Sequence, residues 1–276
     1  MTVSQSAPGK TKQLGIIGGG VMAEAILSGL LAQNAYAAAD LIVSDVTAHR
    51  LDYLATTYGI ATTLSNLEVA QASATVILAV KPQTFSSIAA EFAGAEMACD
   101  LWLSILAGVP LSKLEAALGE RAIIRVMPNT PALVGAGITA LAPGKSAQPH
   151  HIATAEKIFA AVGEVLTVSE TWMDAITGLS GSGPAFVAIA IEALTDGGVA
   201  AGLPRPIAAK LAVQTVRGTT ELMIQKDLHP ALLKDQVTSP GGTTIAGVAS
   251  LEASGFRSAL IGAVQAAYRR SQELGQ

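Results

Sequence analysis

A glycine-rich turn near the amino terminus constrains the fold of this chain more than any other feature. It lies between the apolar run 14–17, which predicts a buried strand, and an apolar pattern at helical spacing that begins at Ile26. The turn has the form Gly-x-Gly-x-x-Ala, with Gly18, Gly20 and Ala23 at the small positions. The first glycine permits a tight turn, the second lets a pyrophosphate approach the backbone, and the alanine allows the helix to pack closely on the strand. We therefore predict a dinucleotide-binding strand, turn and helix.

The residues after the second predicted strand bear on the form of the dinucleotide. That strand, 41–44, ends at Asp45, which lies 22 positions after Ala23, near the spacing expected of a residue that contacts the adenosine ribose. Asp45 would accept hydrogen bonds from a free 2′-hydroxyl and repel a 2′-phosphate, whereas Thr47, His49 and Arg50 could bind that phosphate. The pattern therefore leaves NADPH and NADH both open.

Strand-like and helical runs alternate over the first part of the chain. The strand-like runs are 14–17, 41–44, 75–80, 101–106, 122–126 and 164–168. Such alternation is typical of a parallel sheet with helices on both faces. We therefore predict an α/β fold with a Rossmann-type parallel sheet in the amino-terminal part.

The alternation stops after Glu170, and the rest of the chain predicts helices only. The predicted breaks between them are 178–184, 202–204, 227–230, 239–242 and Gly255. We predict a disordered lead over 1–13, a dinucleotide-binding domain over 14–170 and an all-helical substrate and dimerisation domain over 171–276. The helices over 185–199 and 207–222 are apolar over wide faces that a single copy does not cover, so we expect a dimer.

A second glycine-rich turn, 239–244, precedes a helix predicted from Ile245 onwards. Such a helix N-terminus presents unpaired backbone N–H groups and the positive end of the helix dipole. The glycines let a ligand approach the backbone, and the hydroxyls of Ser239, Thr243 and Thr244 can orient it. We predict a carboxylate-binding site here; a helix cap without a ligand is the alternative for a turn of this kind.

Charge and composition exclude several classes of function. The chain has 17 basic and 21 acidic residues, a net charge of −4 and no Lys/Arg cluster that would point to nucleic acid. No run reaches the roughly 18 uncharged apolar residues of a membrane span, and 1–13 lacks the apolar core of a secretion signal. The single cysteine, Cys99, suits a reducing compartment. We expect a cytoplasmic protein with a small-molecule substrate and neither a nucleic-acid nor a membrane partner.

The sequence carries no pattern for a metal site or for a catalytic nucleophile. His-Glu-x-x-His, paired cysteines and carboxylate clusters are absent from it. The run 178–183 fails the Gly-x-Ser-x-Gly pattern because Ser182 stands where the last glycine is required. Hydride transfer is the chemistry that remains, since a nicotinamide cofactor carries it and the protein mainly positions the reactants.

Five segments together carry a strong resemblance to a known family. They are 17–23, Ala79-Val80-Lys81-Pro82, Met127-Pro128-Asn129-Thr130-Pro131, 178–185, and the stretch from Lys234-Asp235-Gln236-Val237 through Ser239-Pro240-Gly241-Gly242-Thr243-Thr244-Ile245. The chain resembles pyrroline-5-carboxylate reductases over almost its whole length after residue 13, and the last two segments are specific to that family. The resemblance implies NAD(P)H-dependent reduction of 1-pyrroline-5-carboxylate to L-proline, the final step of proline synthesis. It also implies interlocked homodimers, often assembled into a ring of five dimers.

The same resemblance implies which residues bind the cofactor. The pyrophosphate would lie on Ile17, Gly18, Gly19, Gly20, Val21 and Met22. The adenosine ribose would contact the region of Asp45 and Thr47, and Asn66 would bind a further part of the dinucleotide. The nicotinamide half would be flanked by Ala79, Val80, Lys81, Pro82, Ile105, Leu106 and Ala107, with Glu170 and Gln236 reaching the cofactor near the domain junction.

For the substrate, the resemblance implies binding by the second glycine-rich turn. The substrate is a cyclic imine with a carboxylate, and its iminium form already carries the positive charge that lets the carbon accept hydride. The residues that would hold it are Ser239, Gly241, Gly242, Thr243 and Thr244, and Thr244 would be catalytic by hydrogen-bonding the ring nitrogen. The chain departs from the family at Asp45, where members often have serine, threonine or asparagine, so both NADPH and NADH are retained as cofactors.

Two other functions are compatible with these patterns. A related two-domain 3-hydroxy acid dehydrogenase would need a catalytic lysine in its helical part, where Lys210, Lys226 and Lys234 are the available choices. A nucleotide-sensing regulator could keep the fold without turnover. The uninterrupted glycine turn and the presence of Thr244 favour an enzyme over the regulator.

Overall fold

Residues 12–275 are described by the structure, which is a computed structural model. They form two compact units, one made of 12–181 together with 267–275 and the other made of 182–266. Lys12 and Gln13 already belong to the first strand, whereas the rest of the lead predicted over 1–13 lies outside the described residues. The compact units divide after Gly181 rather than after residue 170.

An eight-stranded sheet organises the first unit, in the order β3-β2-β1-β4-β5-β6-β7-β8. Its strands are β1 (Lys12–Ile17), β2 (Leu41–Ser44), β3 (Ala61–Thr63), β4 (Ser73–Leu78), β5 (Leu101–Ser104), β6 (Ala122–Met127), β7 (Gly137–Pro143) and β8 (Gly163–Thr167). All neighbours are parallel except β6 and β7. The predicted α/β class is confirmed, with a mixed sheet in place of a wholly parallel one. The pattern misses β3, which has three residues, and β7, which begins at a glycine and ends at a proline.

Helices cover both faces of this sheet. They are α1 (Val21–Ala32), α2 (Ala48–Tyr58), α3 (Asn66–Ala72), α4 (Phe85–Glu91), α5 (Leu111–Leu118), α6 (Pro149–Ala160) and α7 (Met173–Ile176). Successive residues of the central strand β4 enter opposite layers of the core, because side chains alternate across a strand. Val76 and Leu78 pack in one buried cluster and Ile77 in the other. A strand that is buried on both faces therefore has apolar residues at successive positions. This continuous apolar run is the sequence pattern that predicts β4.

The second unit consists of helices, as predicted. Its helices are α8 (Gly183–Ala200), α9 (Arg205–Lys226), α10 (Pro230–Gln236), α11 (Thr243–Ala253) and most of α12 (Phe256–Gly275). The breaks predicted at 202–204, 227–230, 239–242 and Gly255 agree with the gaps between these helices. Gly255 follows α11 with a φ of +71°, a left-handed conformation that glycine adopts without strain.

The break predicted at 178–184 is wrong. A π-helical segment, Thr177–Gly181, follows α7 and runs into α8. Ser182 has helical dihedral angles, φ −87° and ψ −23°, and its side chain makes no capping hydrogen bond. The glycines of this segment are thus accommodated by a widened helical turn, a feature that is frequent at functional sites.

Large apolar side chains are exposed on the helices of the second unit. Ile189, Leu211 and Ile261 are each more than half exposed. Within residues 12–275, the continuous stretch Glu170–Ala200 is long and apolar enough to cross a membrane by length and composition, which on its own is weak evidence. The stretch also carries four charged residues, Glu170, Asp174, Glu192 and Asp196. Exposed apolar area of this extent is typical of a surface that another protein chain covers.

Candidate dinucleotide and substrate sites

The first glycine-rich turn has the geometry that dinucleotide binding needs. Gly18 has a φ of +98°, and a Cβ there would lie 2.6 Å from the carbonyl oxygen of Ala79, so this position requires glycine. Gly20 is the N-cap of α1, and a Cβ there would meet no heavy atom within 4 Å. The N-terminus of α1 is therefore open to a ligand, and its unpaired N–H groups favour an anion such as a pyrophosphate.

Asp45 lies beside this turn, where the sequence spacing predicts a ribose contact. Its carboxylate accepts hydrogen bonds from the backbone N–H of Gly19 at 2.8 Å and from that of Thr47 at 2.9 Å. Because a carboxylate has about four acceptor positions, Asp45 retains capacity for the hydroxyls of a ribose. The two backbone bonds fix the position of the negative charge at the end of β2.

A cluster around Glu24 holds Arg50 against the turn. The Nε of Arg50 donates to the carbonyl oxygen of Gly19 at 2.5 Å, its Nη2 pairs with the Glu24 carboxylate, and its guanidinium lies 5.0 Å from the centre of the Tyr53 ring. Glu24 also accepts from the hydroxyls of Tyr53 at 3.0 Å and Tyr58 at 2.8 Å. The sequence pattern suggests Arg50 as a phosphate ligand and does not reveal Glu24 as its partner, since the two are separated by 26 positions.

The charges of this cluster shift the pKa values of two of its members. Burial acts to raise the pKa of Glu24, but hydrogen bonds from Arg50, Tyr58 and Tyr53 outweigh it and hold that pKa below its ordinary value. Burial, together with the hydrogen bond to Glu24, raises the pKa of Tyr58 to about 12. The Glu24 carboxylate is therefore charged at neutral pH and keeps its attraction for Arg50.

The predicted cofactor loops follow strands that are neighbours in the sheet. Ala79, Val80, Lys81 and Pro82 follow β4, and Ile105, Leu106 and Ala107 follow β5. Ala79 N donates to Ile17 O at 2.8 Å, and Ile105 N donates to Leu78 O at 3.1 Å. The structure thus brings these loops, the glycine turn and Asp45 to the carboxyl ends of β1, β2, β4 and β5, the edge at which ligands bind in open α/β sheets.

Asn66, the first residue of α3, is engaged by protein groups near this edge. Its side-chain oxygen accepts from the hydroxyl of Ser44 at 2.8 Å, and its amide nitrogen donates to the Glu91 carboxylate at 3.0 Å. Ser44 is the last residue of β2, so Asn66 lies close to the strand that Asp45 follows. Its predicted contact with the dinucleotide stays a prediction.

Glu170 lies in an ionic cluster around the buried Arg125 that the sequence pattern does not reveal. Its carboxylate accepts from the backbone N–H of Leu111 at 2.5 Å and lies 3.6 Å from Arg125. Arg125 is only 5% exposed on β6 and pairs with Asp174 at 3.0 Å; Asp174 also accepts from the hydroxyl of Ser271 at 2.8 Å. Glu170 therefore caps the N-terminus of α5, and its predicted reach towards the cofactor stays a prediction. In the sequence, the position of Arg125 within the apolar run of β6 is the feature that could indicate such a cluster.

Asn129 connects the Met-Pro-Asn-Thr-Pro segment to the π-helical segment. Its amide nitrogen donates to the carbonyl oxygen of Ser180 at 3.2 Å, and its side-chain oxygen accepts from the backbone N–H of Ile138 at 3.0 Å. The side chain thus satisfies one backbone group in each of two other segments. Asn129 is only 9% exposed, so water does not readily replace these bonds.

Asn129→Ala is expected to destabilise the protein by about 2 kcal/mol, because the partly buried N–H of Ile138 and C=O of Ser180 lose their partner. Urea denaturation measures the change in the free energy of unfolding. Asn129→Asp is the matched control: it keeps the acceptor for Ile138 and loses the donor to Ser180, so an intermediate loss is expected. An alanine variant as stable as the native protein would contradict the assignment.

The second glycine-rich turn leads into α11 as predicted. Gly241 has a φ of +68°, and a Cβ on Gly242 would collide with the side-chain oxygen of Ser239. Gly241 is therefore required by its dihedral angle, whereas a side chain at Gly242 would require the Ser239 side chain to move. The backbone N–H of Gly242 donates to the carbonyl oxygen of Ser239 at 3.1 Å, which closes the turn.

The N-terminus of α11 carries the donors that a carboxylate would need. Gly242 is its N-cap and makes no side-chain capping bond, and Thr243 and Thr244 are its first two residues. Within residues 12–275, neither threonine hydroxyl takes part in a hydrogen bond. Gln236, also predicted as a cofactor contact, is exposed at the end of α10. The helix end thus presents unpaired backbone N–H groups together with two hydroxyl groups.

These features define a class of protein. A glycine turn open above a helix N-terminus, with an acidic residue at the end of the second strand, is the binding site of Rossmann-type dinucleotide-dependent oxidoreductases. The second unit adds a helical region with its own candidate anion site. The described residues fit a dinucleotide, because Gly20 leaves open the space that a pyrophosphate needs. Any other residue at this position would place a side chain in that space.

Comparison with known proteins identifies the family within this class. One family model, described as pyrroline-5-carboxylate reductase dimerisation, matches residues 170–274, and another, described as NADP oxidoreductase, coenzyme F420-dependent, matches 13–108. The pyrroline-5-carboxylate reductase of Synechocystis sp. is 58% identical over 96% of this chain and 98% of its own length. The chain belongs to the pyrroline-5-carboxylate reductase family.

Solved structures agree with this assignment. A pyrroline-5-carboxylate reductase from Coxiella burnetii has a TM-score of 0.87 at 35% identity, covering 96% of this chain and 99% of that chain. The Plasmodium falciparum pyrroline carboxylate reductase, solved with NADP bound, has a TM-score of 0.85 at 31% identity, covering 97% and 99%. The resemblance inferred from the motifs is confirmed, and the predicted cofactor class, NADPH or NADH, agrees with the family and with the NADP oxidoreductase match.

The alternative function, that of a 3-hydroxy acid dehydrogenase, is not supported by the structure or by the comparisons. Lys234, one of its three candidate lysines, pairs with the neighbouring Asp235 at 2.7 Å. The pyrroline-5-carboxylate reductases of Synechocystis sp. and Methanosarcina acetivorans, 58% and 43% identical, each match over at least 96% of this chain. The roles of the individual substrate and cofactor residues named from the motifs stay predictions.

Proposed function

We propose that this chain reduces 1-pyrroline-5-carboxylate to L-proline with NADPH or NADH, the last step of proline biosynthesis. The observation that carries the proposal is the turn 239–244, which offers a carboxylate the N-terminus of α11 and the hydroxyls of Thr243 and Thr244. The identity of 58% to a reductase of this name supports it. A cytoplasmic location is part of the same proposal.

The residues of the first unit would bind the cofactor. The open N-terminus of α1 would hold the pyrophosphate through backbone N–H groups, and Asp45 would accept from ribose hydroxyls. The loops after β4 and β5 would line the nicotinamide half. When bound, a reduced nicotinamide supplies the hydride, and the chain's contribution is to position the reactants and exclude water.

The residues of the second unit would bind the substrate. The carboxylate would accept from the backbone N–H groups at the start of α11, which the turn leaves unpaired. Thr244 would donate or accept a hydrogen bond at the ring nitrogen. Because the iminium form of the substrate is already positively charged, this site needs orientation and little acid strength, which fits a site made of hydroxyls and backbone groups.

Steady-state turnover tests the proposal. Reduced nicotinamide is followed by its absorbance with 1-pyrroline-5-carboxylate as the only acceptor, and proline is quantified as the product. We expect acceptor-dependent oxidation with one proline formed for each nicotinamide oxidised. A folded protein that binds the nucleotide but consumes none of it in the presence of this imine would favour the alternative of a nucleotide-sensing regulator.

We also propose a homodimer formed through the helices of the second unit, assembling further into a ring of five dimers. The exposed apolar residues Ile189, Leu211 and Ile261 and the match to a dimerisation model support it. Light scattering at micromolar concentration should give the mass of two or of ten chains. Leu211→Glu should lower that mass by introducing a charge into the covered surface; a single-chain mass for the unmodified protein would contradict the proposal.

A further inference from the structure

We propose that this chain prefers NADH to NADPH, and that Glu24 sets this preference together with Asp45. Glu24 does so by withholding Arg50, the cation best placed to bind a 2′-phosphate. The inference rests on the proposed function only in assuming that a nicotinamide dinucleotide binds at the first glycine turn. It concerns the adenosine end of that dinucleotide and is independent of the substrate.

The carboxylate of Asp45 is held in one position beside the glycine turn. Its two backbone hydrogen bonds, from Gly19 at 2.8 Å and Thr47 at 2.9 Å, tie the carboxylate to the glycine turn on one side and to the start of α2 on the other. It cannot turn away without leaving two N–H groups unpaired. A phosphate on the ribose 2′-oxygen would bring about two further negative charges beside it, whereas a free 2′-hydroxyl would donate to it.

The guanidinium of Arg50 is already bound to other protein groups. Its Nε donates to the carbonyl oxygen of Gly19, its Nη2 is paired with Glu24, and its guanidinium carbon lies over the Tyr53 ring. Binding a 2′-phosphate would require Arg50 to leave a carboxylate and a carbonyl that it already satisfies. The guanidinium therefore supports the glycine turn and is not available as a phosphate ligand.

The carboxylate of Glu24 is held in place by several hydrogen-bond donors. Its carboxylate accepts from Tyr53 and Tyr58 as well as from Arg50, so three donors fix its position and favour its charged form. Asp45 and Glu24 contribute two negative charges and Arg50 one positive charge, which leaves a net charge of −1 around the turn. The remaining basic residue of the segment 45–58, His49, is exposed and makes no hydrogen bond or ion pair with the described residues.

Binding measured without substrate tests this inference directly. NADH and NADPH are titrated separately into the full-length protein, and the fluorescence of the nucleotide gives each Kd. We expect NADH to bind about tenfold more tightly or better, since a charge-assisted hydrogen bond is exchanged for repulsion. Glu24→Gln should improve NADPH affinity by about tenfold by freeing Arg50, with a change of less than about twofold for NADH.

Two further variants complete the design. Asp45→Ser should shift the ratio of the two Kd values towards NADPH by removing the fixed charge, and it tests the inference even if the Glu24 variant is unstable. Glu156→Gln is the matched control, because it removes one charge from a glutamate of α6 that accepts a hydrogen bond from Thr167. It should leave the ratio unchanged. Thermal unfolding confirms that each variant is folded.

The outcomes separate this inference from the proposed function. A native protein that binds NADPH as tightly as NADH overturns the inference, as does a ratio that neither Glu24→Gln nor Asp45→Ser alters, or the failure of both nucleotides to bind. Preferential NADH binding without reduction of 1-pyrroline-5-carboxylate would support the inference and overturn the proposed function.

Discussion

Gly20→Val is expected to abolish dinucleotide binding and to leave the fold intact. Gly20 has φ −68° and ψ −175°, a conformation open to any residue, and a Cβ there meets nothing within 4 Å. The free energy of unfolding should therefore change by no more than about 1 kcal/mol, since a poorer N-cap and a stiffer unfolded chain offset each other. The added side chain would occupy the space above the N-terminus of α1, so the Kd for NADH or NADPH should rise by about 100-fold or more.

The same substitution two residues earlier provides the control. Gly18→Val should destabilise the protein by about 3 kcal/mol or more, because its φ is +98° and its Cβ would lie 2.6 Å from Ala79 O. Fluorescence titration with the nucleotide and urea denaturation measure the two effects on each variant. The assignment of the pyrophosphate site is refuted if the Gly20 variant binds normally, or if it loses as much stability as the Gly18 variant.

Thr244→Ala is expected to lower kcat by about 10- to 100-fold while the Kd for the dinucleotide changes by less than about twofold. The hydroxyl is unpaired among the described residues, so its loss leaves no protein group without a partner. Its expected role is a hydrogen bond to the ring nitrogen that gains strength as hydride is transferred. Steady-state turnover with 1-pyrroline-5-carboxylate, together with nucleotide titration, separates the two parameters.

Thr244→Ser is the matched variant, because it keeps the hydroxyl and removes only a methyl group. It should recover most of the activity that the alanine variant loses. Equal losses of kcat and of nucleotide affinity in the alanine variant would indicate a general disturbance of the protein. No loss of either parameter would show that Thr244 is not catalytic.

The parts of the site that sequence predicts well are those determined by neighbouring residues. The glycine turn at 18–20 and the turn at 239–244 each need particular dihedral angles and short contacts, which glycine supplies within a few positions. The strands β1, β2 and β4 are also predicted, since burial on both faces demands continuous apolar runs. Local chemistry therefore predicts where ligands can approach the backbone.

The parts that sequence does not predict depend on distant partners. Arg50 is visible as a cation after the second strand, but its pairing with Glu24 spans 26 positions, so no local pattern indicates it. Arg125 and Asp174 are separated by 49 positions, and the antiparallel direction of β7 depends on how the chain returns to the sheet. A π-helical segment stands where its glycines predict a break, and one of its carbonyl groups, that of Ser180, accepts a hydrogen bond from Asn129, 51 positions away.

The last turns of α12 have a consequence for how this protein is made. Ser271 donates to Asp174, and Leu274 lies where a Cβ on Gly108 would collide, so residues near the carboxyl terminus belong to the nucleotide-binding unit. A chain leaving the ribosome exposes residues 12–181 long before residue 271 is synthesised. The Rossmann unit of a nascent chain therefore lacks part of its own packing until residues 267–275 have been synthesised, which makes completion of its folding depend on prior synthesis of the helical unit.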